Sequence, residues 1–374
     1  MPVDFNLSPA EEGIRKAASA FAAGQAVAGG LIKGQIPPSL GGTGGTLVEA
    51  TILVEEMYAV EPAASLTIFA TGLGLTPLNL TAVGKLGVFR TRRGRELSGK
   101  SAPGLVTTAT PEGDEWVLSG ENIWATNSAG WDFEGADLQC VVCRTTNPKS
   151  SEPADAIMIL LVTIADIKRN APGAFKIVRQ VSTAGHTACS GPHIKYTNLR
   201  VPLKNVLCPP GTGADIVSAS FDCSAVLVGA MSVGVMRAAF DAALAFAKRD
   251  NRRGASDLLT RQAVADLLSG IKMQTEACRA LTWKAASCLQ NGPGEYNARR
   301  ELALAAKIYC SDSCTKAVTK AINVVGITAY DADQPFADLL NVAMVLPIFD
   351  GGNVGIRRRH QTPAHARFDS VGGL

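Results

Sequence analysis

The chain predicts an α+β protein in three successive zones: helical to residue 97, β-rich from 98 to 210, and a helical bundle from 211 to 374. Three observations carry this reading. Apolar residues recur at helical spacing towards both ends, as in LVEATILVEEMYAVEP (47–62) and AVLVGAMSVGVMRAAFDAALAFAKRD (225–250). Between them the period drops to two, in short runs punctuated by Pro, Gly and Asn. The long C-terminal helical runs are rich in small residues, as expected inside a bundle.

In the first zone Ser8 precedes Glu11 and Glu12, an N-cap with acids in the first turn of a helix. Gly41 to Thr46 (GGTGGT) reads as a loop, and the helix after it places Glu55 and Glu56 on its polar side. SLTIFATGLGLTPLNL (65–80) is apolar almost all round, which predicts a buried segment. In the second zone GLVTTAT, a turn at Pro111 to Asp114, and EWVLSGENIWAT form a hairpin pattern. DLQCVVCRTT, DAIMILLVTI, FKIVRQVS and PHIKYTNLRVP follow as strands of a small sheet or barrel. In the third zone a helix stops at Asn291-Gly292-Pro293, another runs from Glu295 to near Gly326, and a shorter one spans Phe336 to Met344 before Pro347.

Composition excludes several classes. A hydrophobic share of 47% with 18% charged residues fits a globular enzyme, and a net charge of +3 is too small for nucleic acid. MPVDFNLS has no apolar core of a signal peptide, and no run reads as a membrane span. Nine cysteines without such a signal point to a reducing compartment, and the cytoplasm is the expectation. Cys140 and Cys143, spaced i and i+3 on a strand, face opposite ways and cannot share a metal. Cys310 and Cys314 share a helix face with no histidine nearby, so plain buried thiols are expected.

GGTGGT lacks the Gly-Lys-Ser/Thr ending of a phosphate loop and follows no strand. No strand-G-x-G-x-x-G-helix unit exists for a dinucleotide. With four histidines and no G-x-S-x-G elbow, serine hydrolysis has little support. FDGGNVGIRRR (349–359) is more informative. One carboxylate, Asp350, precedes two glycines that let backbone approach a ligand closely. Asn353 can cap the next segment, and Arg357 one turn in would favour an ionised Asp350 ready to take a proton. A surface turn followed by a solvated arginine face fits the same residues.

The stretches GENIWATNSAGWDF (120–133), ADLQCVVCR, SGPH, SAVLVGAMSVG, RRGASDLLTRQAVADLL, VVGITAY and DGGN (350–353) together resemble the acyl-CoA dehydrogenase superfamily, and within it the nitroalkane oxidases. The resemblance runs in order through nearly the whole chain. It implies the acyl-CoA dehydrogenase fold: an N-terminal helical domain (1–97), a middle β-barrel or sheet domain (98–210) and a C-terminal four-helix bundle (211–374). It implies FAD as cofactor, a nitroalkane or acyl thioester as small-molecule substrate, O2 or an electron-transfer acceptor, and a homotetramer. Asp350 would remove an α-proton, Arg357 would hold and tune it, and Ser224 would hydrogen-bond it. Trp124 to Thr126 would lie along the flavin with the Thr126 hydroxyl near its reactive nitrogen. Asn127, Gly352 and Asn353 complete that surface, and Arg252, Gln262 and Gly326 match positions that hold FAD phosphates and adenosine.

Two departures stand out. The segment FAAGQAVAGGLIKGQIP is shorter than in relatives. Where the family carries a Ser-Glu-Pro-x-Gly loop on the flavin, this chain reads RTRRGREL (90–97). A nucleotide string encoding Ser-Glu-Pro-Gly-Gly-Val-Ala-Asn-Trp, read from its third nucleotide, encodes that same basic run, as a frame-shifted flavin loop would. An acyl-CoA dehydrogenase-like desaturase in a biosynthetic pathway and a flavin-free homologue, either a non-redox acid-base catalyst or a binding partner, are the rival readings.

Overall fold

The computed structural model describes residues 34–83, 105–130, 132–251, 254 and 256–355. The expected N-terminal helix after Ser8, the basic run 90–97, Arg252 and Arg357 lie outside these residues. Two compact units are present. Among the described residues, one comprises Gly45–Ser65 and the chain from Asp222 onward, the other 34–44 and Leu66–Phe221.

The second unit is built on a seven-stranded sheet. Its strands are β1 (Thr108–Glu112), β2 (Glu115–Ile123), β3 (Leu138–Thr145), β4 (Ile157–Thr163), β5 (Phe175–Gln180), β6 (Pro192–Pro202) and β7 (Val206–Cys208), in the order β5-β6-β2-β1-β3-β4-β7. The predicted hairpin is β1–β2, antiparallel with Glu112 opposite Glu115, so the turn is tighter than expected and Pro111 pairs within the strand. Only β1 against β3 is parallel among the pairings described. A one-turn helix, Pro153–Ala156, takes the start of the predicted DAIMILLVTI strand.

Strict alternation explains the packing of this sheet. Along β3 every second residue is buried. Val141 and Cys143 join Leu118, Met158, Leu160, Ile194 and Tyr196 in the main core. Cys140 and Val142 turn the other way, onto Ile159, Cys208 and Val217. The two thiols therefore face opposite sides, as a two-residue period requires. Burial pushes the Cys140 thiol up to about 11 and Cys143 to about 12, which keeps both protonated. Among the described residues no cluster of His, Cys, Asp and Glu is suited to a metal.

The helices are α1 (Leu47–Val60), α2 (Pro62–Val83), α3 (Ile164–Arg169), α4 (Gly213–Arg249), α5 (Gln262–Asn291), α6 (Tyr296–Val325) and α7 (Phe336–Val345). α1 starts on a reciprocal cap: Thr46 Oγ accepts from the Glu49 amide and the Glu49 side chain accepts from the Thr46 amide. α5 stops at Gly292, and α6 stops at Gly326, whose φ of 73° breaks the helical path. α4 supplies much of the bundle core through Ala225, Val226, Val233, Val235, Met236, Ala239 and Ala243. Cys310 and Cys314 of α6 are fully buried beside them as packed thiols.

Two sequence expectations need correction. Glu55 and Glu56 of α1 do not face water; both are buried. Arg237 of α4 reaches Glu55 at 2.9 Å and Glu56 at 2.8 Å, and Arg279 of α5 reaches Glu55 at 2.9 Å. The acids sit on a helix whose partners carry the compensating guanidinium groups, which no one-helix pattern reveals. Burial raises the Glu55 pKa even so, against the pull of Arg279 and Arg237. Secondly, Pro62–Thr81 and α4 are long and apolar enough to cross a membrane by length and composition. In α4, 72% of the apolar window is buried within the protein, as in the central helix of a bundle, whereas in Pro62–Thr81 only 31% is, so 65–80 is not the buried segment expected.

Candidate active site

Asp350 lies in the segment that follows α7, and its backbone explains why the glycines stand there. Asp350, Gly351 and Gly352 have φ of 55°, 82° and 72°, three left-handed residues in succession. Glycine adopts that region freely, and aspartate is among the side-chain-bearing residues that tolerate it best. The turn is closed by two bonds, Gly352 N to Phe349 O at 3.1 Å and Asn353 N to Pro347 O at 2.7 Å. A helical turn then begins at Gly352. Asp350 is left half-buried.

Ser224, buried on α4, donates its hydroxyl hydrogen to Asp350 Oδ2. The structure thus joins two of the predicted catalytic residues. A hydrogen bond to the ionised form favours the carboxylate over the acid. Two positions earlier on α4, Asp222 is buried against Arg300 Nε at 2.7 Å and Tyr296 Oη at 3.0 Å. These bonds fix the rotation of α4 about its axis, and with it the direction of Ser224.

On the other side the turn rests on α6. Lys307, fully buried, donates to Pro347 O at 3.1 Å and to Asn353 Oδ1 at 2.6 Å. The Asn353 amide donates to Asp312 Oδ1 at 2.7 Å and to Ser311 Oγ at 3.1 Å. The resemblance implies a cofactor contact for Asn353, and within the chain its side-chain amide makes these three bonds. Gly352, beside it, has its nearest obstacle to a Cβ at 3.8 Å, the Pro347 carbonyl, so backbone conformation explains this glycine.

Trp124, Thr126 and Asn127 belong to the other unit, at the end of β2. Trp124 and Asn127 are left-handed, with φ of 65° and 61°. The turn is pinned by Asn127 N to Ser190 O at 3.1 Å and by Asn127 Nδ2 to Thr67 O of α2 at 2.7 Å. Trp124 is 57% exposed, and its ring lies over Gly191, where a Cβ would come within 3.3 Å. An indole held open to solvent by a strained turn is a platform for a flat aromatic group. The half-buried Thr126 hydroxyl makes no hydrogen bond among the described residues. These features fit the ring of a flavin.

Two further predicted positions lie at the ends of bundle helices. Gln262 opens α5, exposed, with its amide on Asp266 at 2.7 Å. Gly326 ends α6 just before Ile327 and Tyr330, which are 80% and 89% exposed. Of the histidines, His193 pairs with Glu121 at 3.0 Å, and burial lowers His186 to about 4. Sequence reasoning missed Lys307, Asp222, Arg300 and Tyr296. In the fold Tyr296, Arg300, Lys307 and Ser311 recur on one face of α6 among buried alanine, leucine and cysteine, and it is their burial that sets them apart from solvated helix residues.

Residues 211–360 match the family model "Acyl-CoA dehydrogenase, C-terminal domain". Nitroalkane oxidase of Podospora anserina is 56% identical, the match covering 96% of this chain and 95% of that one. Nitroalkane oxidase of Fusarium oxysporum is 41% identical over 96% of this chain and 93% of that one. The solved structure of the Podospora anserina enzyme superposes with a TM-score of 0.90 at 54% identity, covering 98% of this chain and 97% of its own.

Proposed function

Because the chain belongs to the nitroalkane oxidases of the acyl-CoA dehydrogenase superfamily and is a flavoenzyme with FAD as its cofactor, we propose that Asp350 is the base that removes the α-proton of a neutral nitroalkane. The Ser224–Asp350 hydrogen bond carries this reading. It directs one carboxylate oxygen and favours its ionised state, which is what a proton acceptor needs. A nitro group delocalises the charge left on carbon, so a single well-placed carboxylate suffices. FAD, when bound, supplies the electron acceptance that carboxylates cannot. Trp124 and Thr126 would hold its ring, and Gln262, Gly326, Arg252 and Arg357 take the roles the family implies.

The overall reaction proposed is nitroalkane plus O2 and water to aldehyde or ketone, nitrite and hydrogen peroxide. The exposed Ile327 and Tyr330 beside Gly326 favour an assembly of several copies, and a homotetramer is the proposed form. A cytoplasmic location is proposed with it.

The test is the holoenzyme with nitroethane, wild type against Asp350→Asn, with the visible flavin spectrum of each. We expect flavin bound in both, peroxide and nitrite from the wild type, and a loss of about a thousandfold or more in kcat/KM for the variant. An Asp350→Asn protein with flavin and near-normal turnover of nitroethane would overturn the assignment.

A further inference from the structure

We infer that Lys307 is a positioning residue for the base, clamping the Asp350 turn at both of its ends; this rests on Asp350 being the base. A buried ammonium group is costly unless its hydrogens are engaged, so the partners of Lys307 matter. Two of them are Pro347 O and Asn353 Oδ1, the first and last residues of the segment that holds Asp350 at its centre. Pro347 O also accepts from Asn353 N at 2.7 Å, so one carbonyl receives both the closure of the turn and the clamp.

The orientation of the Asn353 amide follows from its neighbours. Lys307 has only donors to offer, so the amide oxygen faces it; Asp312 Oδ1 is an acceptor, so the amide nitrogen faces that. Ser311 Oγ accepts from the same nitrogen and donates to Lys307 O at 2.6 Å, which ties the network back into α6. The turn is therefore seated by α6 from beneath, while Ser224 of α4 directs the carboxylate it presents. Aspartate tolerates the left-handed conformation at Asp350, and the clamp adds to the turn's own closing bonds in holding it there.

Lys307→Met keeps most of the side-chain volume and leaves Pro347 O its bond from Asn353 N. In the FAD-loaded enzyme, kcat/KM is compared for nitroethane and for its preformed conjugate base, ethyl nitronate, which needs no proton removed. We expect nitroethane turnover to fall about tenfold or more and nitronate turnover to stay within about twofold. An equal fall with both substrates, or none with nitroethane, overturns the inference. Lys307→Gln, which gives up the charge and shortens the reach to Pro347 O and Asn353 Oδ1, should give the same split if Lys307→Met does not fold. Wild-type protein that consumes nitronate but not nitroethane would sink the reading of Asp350 instead. The crystal structure of Lys307→Met then decides the clamp: a displaced 347–353 segment supports it and an unchanged one refutes it.

Discussion

Ser224 and Asp350 are 126 residues apart in the chain and share a hydrogen bond in the fold. The serine is buried on α4 and flanked by the Asp222–Arg300–Tyr296 cluster, whereas the aspartate sits on a short left-handed turn. A fixed donor thus meets a carboxylate whose backbone the glycines allow to bend.

Ser224→Ala should lower kcat/KM for nitroethane by about tenfold, the worth of one hydrogen bond to a charged group. Because the lost bond favours the ionised form, the acid limb of the pH profile should move to higher pH. Steady-state kinetics over about pH 5 to 9 read both effects. An acid limb that does not move would separate Ser224 from the tuning of Asp350.

Arg237→Met should destabilise the protein by about 3 kcal/mol near neutral pH, since it leaves two buried carboxylates short of a guanidinium. The penalty should shrink as pH falls, because burial already raises the Glu55 pKa and protonation removes the unpaired charge. Denaturant titration at two pH values checks this, and a penalty independent of pH would contradict it.

His186 predicts a separate pH dependence. Burial lowers it from an ordinary 6.5 to about 4, so between those values the unfolded chain binds a proton that the folded one refuses. Stability is fully present above pH 6.5 and is lost as pH falls towards 4, with a slope of at most about 1.4 kcal/mol per pH unit. His186→Asn keeps a residue that tolerates φ of 54° and should flatten that part of the curve. Retention of the full slope in the variant would assign it to other groups.

The site was legible in the sequence where chemistry needs a special residue. An aspartate before two glycines marks a backbone turn, and the WATN stretch supplies both the exposed indole and the left-handed asparagine. Lys307 escaped notice because a lysine on a helix is ordinarily a solvated one, and only the packing of α6 shows it buried. Asn353 was legible as a residue of the site, and its inward-turned amide was not, since that direction depends on partners 41 to 46 positions away.

By itself the sequence determined the order of the described helices and strands, the alternate facing of Cys140 and Cys143, and the turn at Asp350-Gly351-Gly352, because periodicity and glycine placement are local properties. Tertiary structure alone decided which charges are buried. Glu55 and Glu56 face Arg237 and Arg279, Asp222 faces Arg300, and Lys307 faces the two ends of the Asp350 turn. Desolvation is set by everything packed around a group, and the partners that make it tolerable come from other helices, so neither can be read from one segment of chain.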